Sequence, residues 1–179
     1  STASAVSVTG LAFISPVILL IKDHYSVSSN EVQLTLTIYL VAICFAQIFW
    51  GPLSDLIGRR IVLIVGASLF SLGGILASLN LAFEVFIFFR FLQGIGAAAC
   101  LSMPRVMLTE SYGVKKAAAK MSTLLAFMAI FPILSAAFGG YVGENYGWEV
   151  NFLILFVFGG VVFSLNHAYS PETIKNKSK

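Results

Sequence analysis

The sequence predicts an all-α membrane protein of six transmembrane helices, and its composition, its apolar runs and the placement of its charges support this. Of the 179 residues, 58% are hydrophobic and 11% are charged, whereas a soluble domain has roughly 45–50% apolar and about 25% charged residues. Six apolar runs approach the roughly 20 residues that a helix needs to cross a bilayer. This composition excludes a water-soluble enzyme, a disordered tail and a nucleic-acid-binding protein.

Polar residues delimit the first three predicted spans. Span one, residues 3–21, ends at the polar run 22–24. Span two, residues 31–53, follows candidate N-cap residues at 28–30. Span three, residues 61–79, begins directly after two arginines. Because the connections are short, they leave no room for a soluble domain.

The other three spans follow the short link 80–84. Span four ends near residues 101–104, span five covers 121–142 and span six covers 150–169. None of them shows the alternating pattern of a β-barrel strand. Span one lacks the basic segment and the cleavage site of a secretory signal. We therefore expect it to be a true span from which upstream residues have been removed.

The basic residues predict the orientation in the membrane. Of the eleven Lys and Arg residues, only Lys22 lies on the opposite side, and Arg90 lies within a span. The other nine share one side and are Arg59, Arg60, Arg105, Lys115, Lys116, Lys120, Lys175, Lys177 and Lys179. Loops rich in Lys and Arg face the cytoplasm. Both termini are therefore expected to be cytoplasmic.

A short pattern recurs at the ends of spans two and five. The segment 51–58 reads Gly-Pro-Leu-Ser-Asp-Leu-Ile-Gly, and the segment 140–147 has glycine, an acid and glycine at the same three positions. The two segments lie three spans apart, on opposite faces of the membrane, as in inverted three-helix units. We expect two such repeats, residues 1–80 and 81–170, and a basic tail or linker at 171–179.

Arg90 is the polar residue that says most about function. It lies about seven residues, or roughly 10 Å, into span four. An arginine at the centre of a span costs about 2.5–3.5 kcal/mol, so it normally faces a bundle interior or a wet cavity. With Gln93 on the same stripe, Arg90 is a candidate for a buried proton-relay network or for substrate contact. The alternative is a side chain that extends to the membrane interface.

A charged turn joins spans two and three. Gly58 can adopt a positive φ, and the Asp55 carboxylate suits the start of span three. Arg59 and Arg60 can pair with Asp55 or with lipid phosphates. This motif, which Gly51 begins, is either a topogenic turn or a charge latch that gates the cytoplasmic side.

Prolines lie in or at the ends of several spans, and each is expected to break its helix because it lacks a backbone donor. They are Pro16, Pro52, Pro104 and Pro132. Pro132 is followed by Ser135, Gly139 and Gly140, which makes span five the best candidate for a bending, gating helix.

Few polar side chains are available to line a substrate cavity. Tyr39 and Gln47 are eight residues apart and are expected on one face of span two, and Pro132 and Ser135 add to the cavity from span five. With many phenylalanines, such a cavity would suit an amphiphilic, aromatic or cationic compound. The glycines expected to allow close helix packing are Gly94, Gly96, Gly139 and Gly140.

The sequence contains no set of residues that would support enzyme chemistry. Away from the span ends there is no Asp or Glu, and there is no Ser/His/Asp or Cys/His set. The two cysteines have no metal-ligand spacing. We therefore expect no catalytic residues, no metal and no cofactor.

Several segments resemble a known family. Residues 51–60, Gly-Pro-Leu-Ser-Asp-Leu-Ile-Gly-Arg-Arg, resemble the loop 2–3 signature of the major facilitator superfamily. Segments 90–98 and 132–140 are similar to the fourth- and fifth-helix motifs of its drug:proton antiporters. Segments 31–36 and 171–173, with the Gly-Trp pair that follows span five, resemble the bicyclomycin-resistance (Bcr/CflA-type) subgroup.

The resemblance implies that the chain is the N-terminal six-helix half of a twelve-helix transporter in a bacterial inner membrane. It implies proton-coupled export of small amphiphilic drugs by alternating access, with Arg90 tied to proton coupling and Asp55 latching against the second half. The expected partners are a small-molecule substrate, protons, membrane lipid, and the C-terminal half or a second copy, but no nucleic acid.

Two positions depart from the pattern of the family. Ala12 stands where the subgroup usually has an acid, and Ser135-Ala136 replaces an expected Gly-Pro pair. The departures keep open the alternative of an uptake or metabolite carrier. A truncated half without transport activity is a separate alternative.

Overall fold

The computed structural model describes residues 2–169, and over that range the chain forms helices and short connections without a strand. The helices are α1 (Thr2–Ala12), the 3-10 turn Ser15–Val17, α2 (Ile18–Tyr25), α3 (Ser29–Ile57), α4 (Arg59–Ala77), α5 (Phe83–Tyr146) and α6 (Trp148–Tyr169). The tail predicted at 171–179 lies outside the described residues. The predicted all-α fold is confirmed.

The described helices contain six segments that are long and apolar enough to cross a membrane. These six, called spans one to six from here on, are Ala3–Tyr25, Ser29–Ile57, Arg59–Ala77, Phe83–Gly113, Ala117–Tyr146 and Trp148–Ala168. Spans four and five are two helices within α5 that meet at Gly113, where the backbone is not helical (φ 70°, ψ 159°). The six predicted helices are therefore all present.

Spans four and five are longer than predicted at the end that carries Arg59, Arg60 and Arg105, called the basic end from here on. Span four continues to Gly113 and span five begins at Ala117. The hydropathy pattern marks the lipid-facing length, and polar residues continue a helix beyond it until a glycine interrupts the backbone. The predicted limits therefore described the apolar core of each helix.

The prediction that four prolines break their helices is wrong for three of them. Pro52, Pro104 and Pro132 lie inside continuous helices. Neighbouring helices and local adjustment allow proline within membrane helices. Only Pro16 coincides with a break, the 3-10 turn Ser15–Val17.

The break in span one releases a backbone acceptor. Val17 donates its backbone N–H to the carbonyl of Ile14 at 3.1 Å. In an uninterrupted α-helix that donor would bond the carbonyl of Phe13. The Phe13 carbonyl is therefore free to bond a side chain of another span.

Glycines bring several spans close together. A Cβ added at Gly96 would collide with the backbone nitrogen of Phe70 in span three, and one added at Gly94 would lie 2.6 Å from the Tyr39 carbonyl oxygen in span two. At Gly139 the added atom would lie 2.5 Å from the Phe13 carbonyl oxygen. Gly140 has only ordinary contact, 3.4 Å from a Pro16 side-chain atom, so close packing does not require a glycine there.

The two repeated segments end in the same local geometry. Gly58 has φ 116° and ψ 141°, and Gly147 has φ 93° and ψ 151°. Each donates its N–H to the carbonyl four residues earlier at 3.1 Å. The inverted repeats expected at 1–80 and 81–170 stay a prediction.

Candidate functional site

Arg90 lies inside the helix bundle and is fully buried. Its Nη1 donates a 2.6 Å hydrogen bond to Gln93 Oε1, one turn along the same helix. Longer bonds of 3.4–3.5 Å run to the Gly10 carbonyl in span one, and Nε donates at 3.4 Å to the Thr35 carbonyl in span two. The guanidinium therefore lies inside the bundle, whereas a side chain that extends to the membrane interface would lie along its outer surface.

Two aromatic rings face the guanidinium of Arg90. Its Cζ lies 4.4 Å from the ring centroid of Tyr39 in span two and 5.6 Å from that of Phe152 in span six. The Tyr39 hydroxyl donates to the Ser7 carbonyl at 2.9 Å, which fixes the ring against span one. Spans one, two, four and six thus converge on one positive charge, which the ring faces attract.

The charge of Arg90 has no carboxylate partner among residues 2–169. Carbonyl oxygens and ring faces surround it, and the recorded ion pairs of the described chain involve Arg59. Within the same residues Gln93 Nε2 and Thr35 Oγ1 are buried without hydrogen-bond partners. Ala12, where the subgroup usually has an acid, is two residues beyond Gly10. The buried region around Arg90 therefore holds a positive charge and can bind a negatively charged or hydrogen-bonding group.

At the basic end, Arg59 ties the turn between spans two and three to span four. It forms ion pairs with Asp55 and with Glu110, whose Oε1 lies 3.0 Å from Nη2 and 3.2 Å from Nε. It also bonds the Ser54 hydroxyl. Arg60 points elsewhere and donates to the His167 carbonyl at the end of span six. Asp55 therefore pairs with only the first of the two arginines.

Two of the proposed latch residues are glycines with different surroundings. Gly58 has a positive φ and forms the turn itself. Gly51 has open space where a Cβ would be placed. Glu110, which the sequence analysis did not single out, is part of this cluster although it lies 51 residues from Arg59 along the chain.

The proposed cavity residues do not form one site. Tyr39 is buried beside Arg90, whereas Gln47 is exposed. Eight residues turn a helix by about 80° beyond two full turns, so the two side chains point in different directions. Pro132 is half-buried, and Ser135 lines an apolar cavity between spans one, five and six.

Asn151 is a buried polar residue of span six that the sequence analysis missed. Its Nδ2 donates to the Phe13 carbonyl at 3.3 Å and to the Gly139 carbonyl at 2.9 Å. One amide group thus joins span six to the broken part of span one and to span five. Pro16 was the available signal, because a proline in a membrane helix predicts a carbonyl that another span must bond.

Three relatives found by comparison with known proteins are all named for drug resistance. The chain is 26% identical to the bicyclomycin resistance protein homolog of Haemophilus influenzae, over 95% of this chain and 43% of that protein. It is 28% identical to the multidrug resistance protein MdtL of Escherichia coli O81 (86% and 39%). It is 31% identical to a chloramphenicol resistance protein of Pseudomonas aeruginosa (82% and 35%).

The chain spans about two fifths of the length of these curated relatives. Their names confirm the predicted resemblance to drug-resistance proteins, and the six apolar helices make this an integral membrane protein. The profile described as Major Facilitator Superfamily, a family of transporters rather than enzymes, matches residues 1–179. Since that match covers the whole chain, the chain belongs to the Major Facilitator Superfamily.

Proposed function

We propose that the complete protein exports small amphiphilic compounds across a bacterial inner membrane by proton-coupled alternating access. The observation that carries this proposal is the buried Arg90 at the junction of four spans. The names of the relatives supply the substrate class, since each refers to drug resistance. In this proposal both termini are cytoplasmic, and the C-terminal half or a second copy completes the transporter.

Arg90 suits proton coupling because no carboxylate among the described residues balances its positive charge. A buried charge without an opposite charge is costly, and a negative group that approaches it gains correspondingly. Its bonds of 3.4–3.5 Å to the carbonyls of spans one and two are long for hydrogen bonds. A conformation that brings an acid or a substrate acceptor to Arg90 and Gln93 would therefore be favoured over one that does not.

The ion-paired group of Arg59, Asp55 and Glu110, called the Arg59 cluster, suits a latch for the cytoplasmic side. Asp55 is exposed, while the Arg59 side chain is 12% exposed and that of Glu110 31%. Such part-exposed pairs contribute only about 0–1 kcal/mol each. They can therefore break and re-form during each transport cycle.

Dye efflux tests this proposal. Cells that express the complete gene should accumulate less ethidium than control cells, and a proton uncoupler should abolish the difference. Arg90→Ala should also abolish it, whereas Lys120→Ala, a cation removed from an exposed position, should not. Equal ethidium levels in expressing and control cells would contradict export.

One observation favours an uptake or metabolite carrier as the second candidate. The centre around Arg90 has no acid among the described residues, and Ala12 replaces the acid of the export subgroup. Accumulation of a radiolabelled compound in cells that express the complete gene, without a change in dye efflux, would favour the uptake carrier over the exporter.

A further inference from the structure

A cavity of about 290 Å³ lies between spans one, five and six. Span one contributes Phe13, span five contributes Phe131, Ser135 and Phe138, and span six contributes Leu155 and Phe158, among other lining residues. Arg90 bonds Gln93, Gly10 and Thr35 and faces the rings of Tyr39 and Phe152, and none of these five residues lines the cavity. The cavity is therefore distinct from the surroundings of Arg90.

The cavity exists because span six stands away from span one. Where spans three and four meet, Gly66 and Gly96 let the backbones touch. Span six instead presents Leu155 and Phe158 toward span one. Bulky side chains keep two helices apart, and a gap that neighbouring atoms do not fill remains between them.

The walls of the cavity are mainly apolar, and four of its nine described lining residues are phenylalanines. The rings of Phe13 and Phe138 meet edge-to-face, with centroids 5.8 Å apart and an interplanar angle of 62°. The hydroxyl of Thr9, which also lines the cavity, is engaged with the Ala5 carbonyl at 2.7 Å. No charged side chain lines the cavity in the described chain. A charged group would be strongly disfavoured there, and a flat ring would meet the edges and faces that aromatic side chains prefer.

The size of the cavity also suits a ring. An apolar cavity of about 150 Å³ holds a benzene molecule, so this one has room for one or two rings. Leu155 (0% exposed) and Phe13 (4%) lie at its buried side, whereas Leu134 (62%) and Phe138 (54%) stand at its exposed side. The cavity is thus open along span five and buried against spans one and six.

We propose that this cavity binds an uncharged aromatic group of one or two rings. The assignment rests on the walls and volume of the cavity and does not depend on export by the chain. An occupant would lie against Phe13 and Phe138, next to the point where Asn151 joins spans one, five and six.

Photolabelling with benzophenone tests the proposal on the complete protein in lipid nanodiscs. Mass spectrometry of the peptides should place adducts on Leu134 and on span six at Ile154 and Leu155. Ser135→Leu fills the cavity and should lower this labelling about tenfold, which corresponds to ~1.4 kcal/mol. Ala137→Leu adds the same side chain at an exposed position of the same helix and should leave the labelling unchanged.

Two results would overturn the proposal. Equal labelling of exposed Val157 and Val161 in span six, insensitive to Ser135→Leu, would mean that benzophenone only dissolves in the lipid. Competition by palmitate but not by naphthalene would assign the cavity to an acyl chain. If Ser135→Leu fails to fold, the same competition on the unchanged protein decides, and protection by naphthalene is the expected result.

Discussion

At the scale of single residues, Arg90 is a position where an effect on folding stability can be distinguished from an effect on function. Its charge is fully buried, and no carboxylate of residues 2–169 pairs with it. Replacing buried charges with apolar side chains of similar volume is often neutral or stabilising. The free energy of folding therefore does not explain why an arginine occupies this position, and the proposed role in transport would explain it.

Arg90→Met tests this separation. The variant should keep a melting temperature close to that of the unchanged protein in detergent, because removing a buried charge offsets the loss of the donor that bonds Gln93 Oε1. Methionine also fills much of the same space. The variant's dye efflux should be lost. Simultaneous loss of the melting transition and of efflux would instead make Arg90 a structural residue.

Asn151→Leu tests the amide that joins three spans. It leaves the Phe13 and Gly139 carbonyls without the Asn151 donor and should lower the stability by about 0.6–2 kcal/mol. Asn145→Leu is the matched control, because Asn145 is exposed and bonds only a carbonyl of its own helix, that of Tyr141. Thermal unfolding in detergent measures both, and equal losses would contradict the special role of Asn151.

At the scale of helices, the break in span one and the Asn151 amide form one unit. Pro16→Ala supplies a backbone donor and can extend the helix through residues 15–17, which returns the Phe13 carbonyl to an α-helical bond. Asn151→Leu should then cost less by about 0.5 kcal/mol or more in the Pro16→Ala background. A double-mutant cycle of melting temperatures measures this coupling, and strictly additive losses would show that the two features are independent.

The contact between spans three and four predicts a contrast between two glycines. Gly96→Ala places a methyl group against the backbone of Phe70 and should cost about 1–3 kcal/mol. Gly51→Ala enters open space within span two and should be neutral, or stabilising by up to about 1 kcal/mol. The yield of monodisperse protein and its melting temperature report both changes. A tolerated Gly96→Ala would mean that the two spans separate easily.

At the scale of the whole molecule, local patterns in the sequence predicted the fold better than they predicted the site. Hydropathy predicted all six spans because each span is a local run. The contacts of Glu110 and Asn151 could not be predicted from the sequence. Their partners, Arg59 and Phe13, lie 51 and 138 residues away along the chain. The prediction of helix breaks at Pro52, Pro104 and Pro132 was wrong because a helix packed in a bundle tolerates proline.

The exposed surface of span five predicts how the chain behaves without the rest of its protein. Span five is the least buried of the six, and Ile130, Ile133 and Leu134 are 56%, 71% and 62% exposed. The proposed C-terminal half or a second copy would cover part of this surface. Residues 1–179 expressed alone should therefore self-associate in mild detergent.

Light scattering coupled to size-exclusion chromatography measures that association, with the complete protein as the control. Ile133→Ser should reduce self-association, because it shortens the most exposed large side chain among the three. Ser122→Ala, at an exposed position near the start of the same span, should leave it unchanged. A monodisperse 19.3 kDa monomer would contradict the prediction, because detergent alone would then be enough to cover the exposed surface of span five.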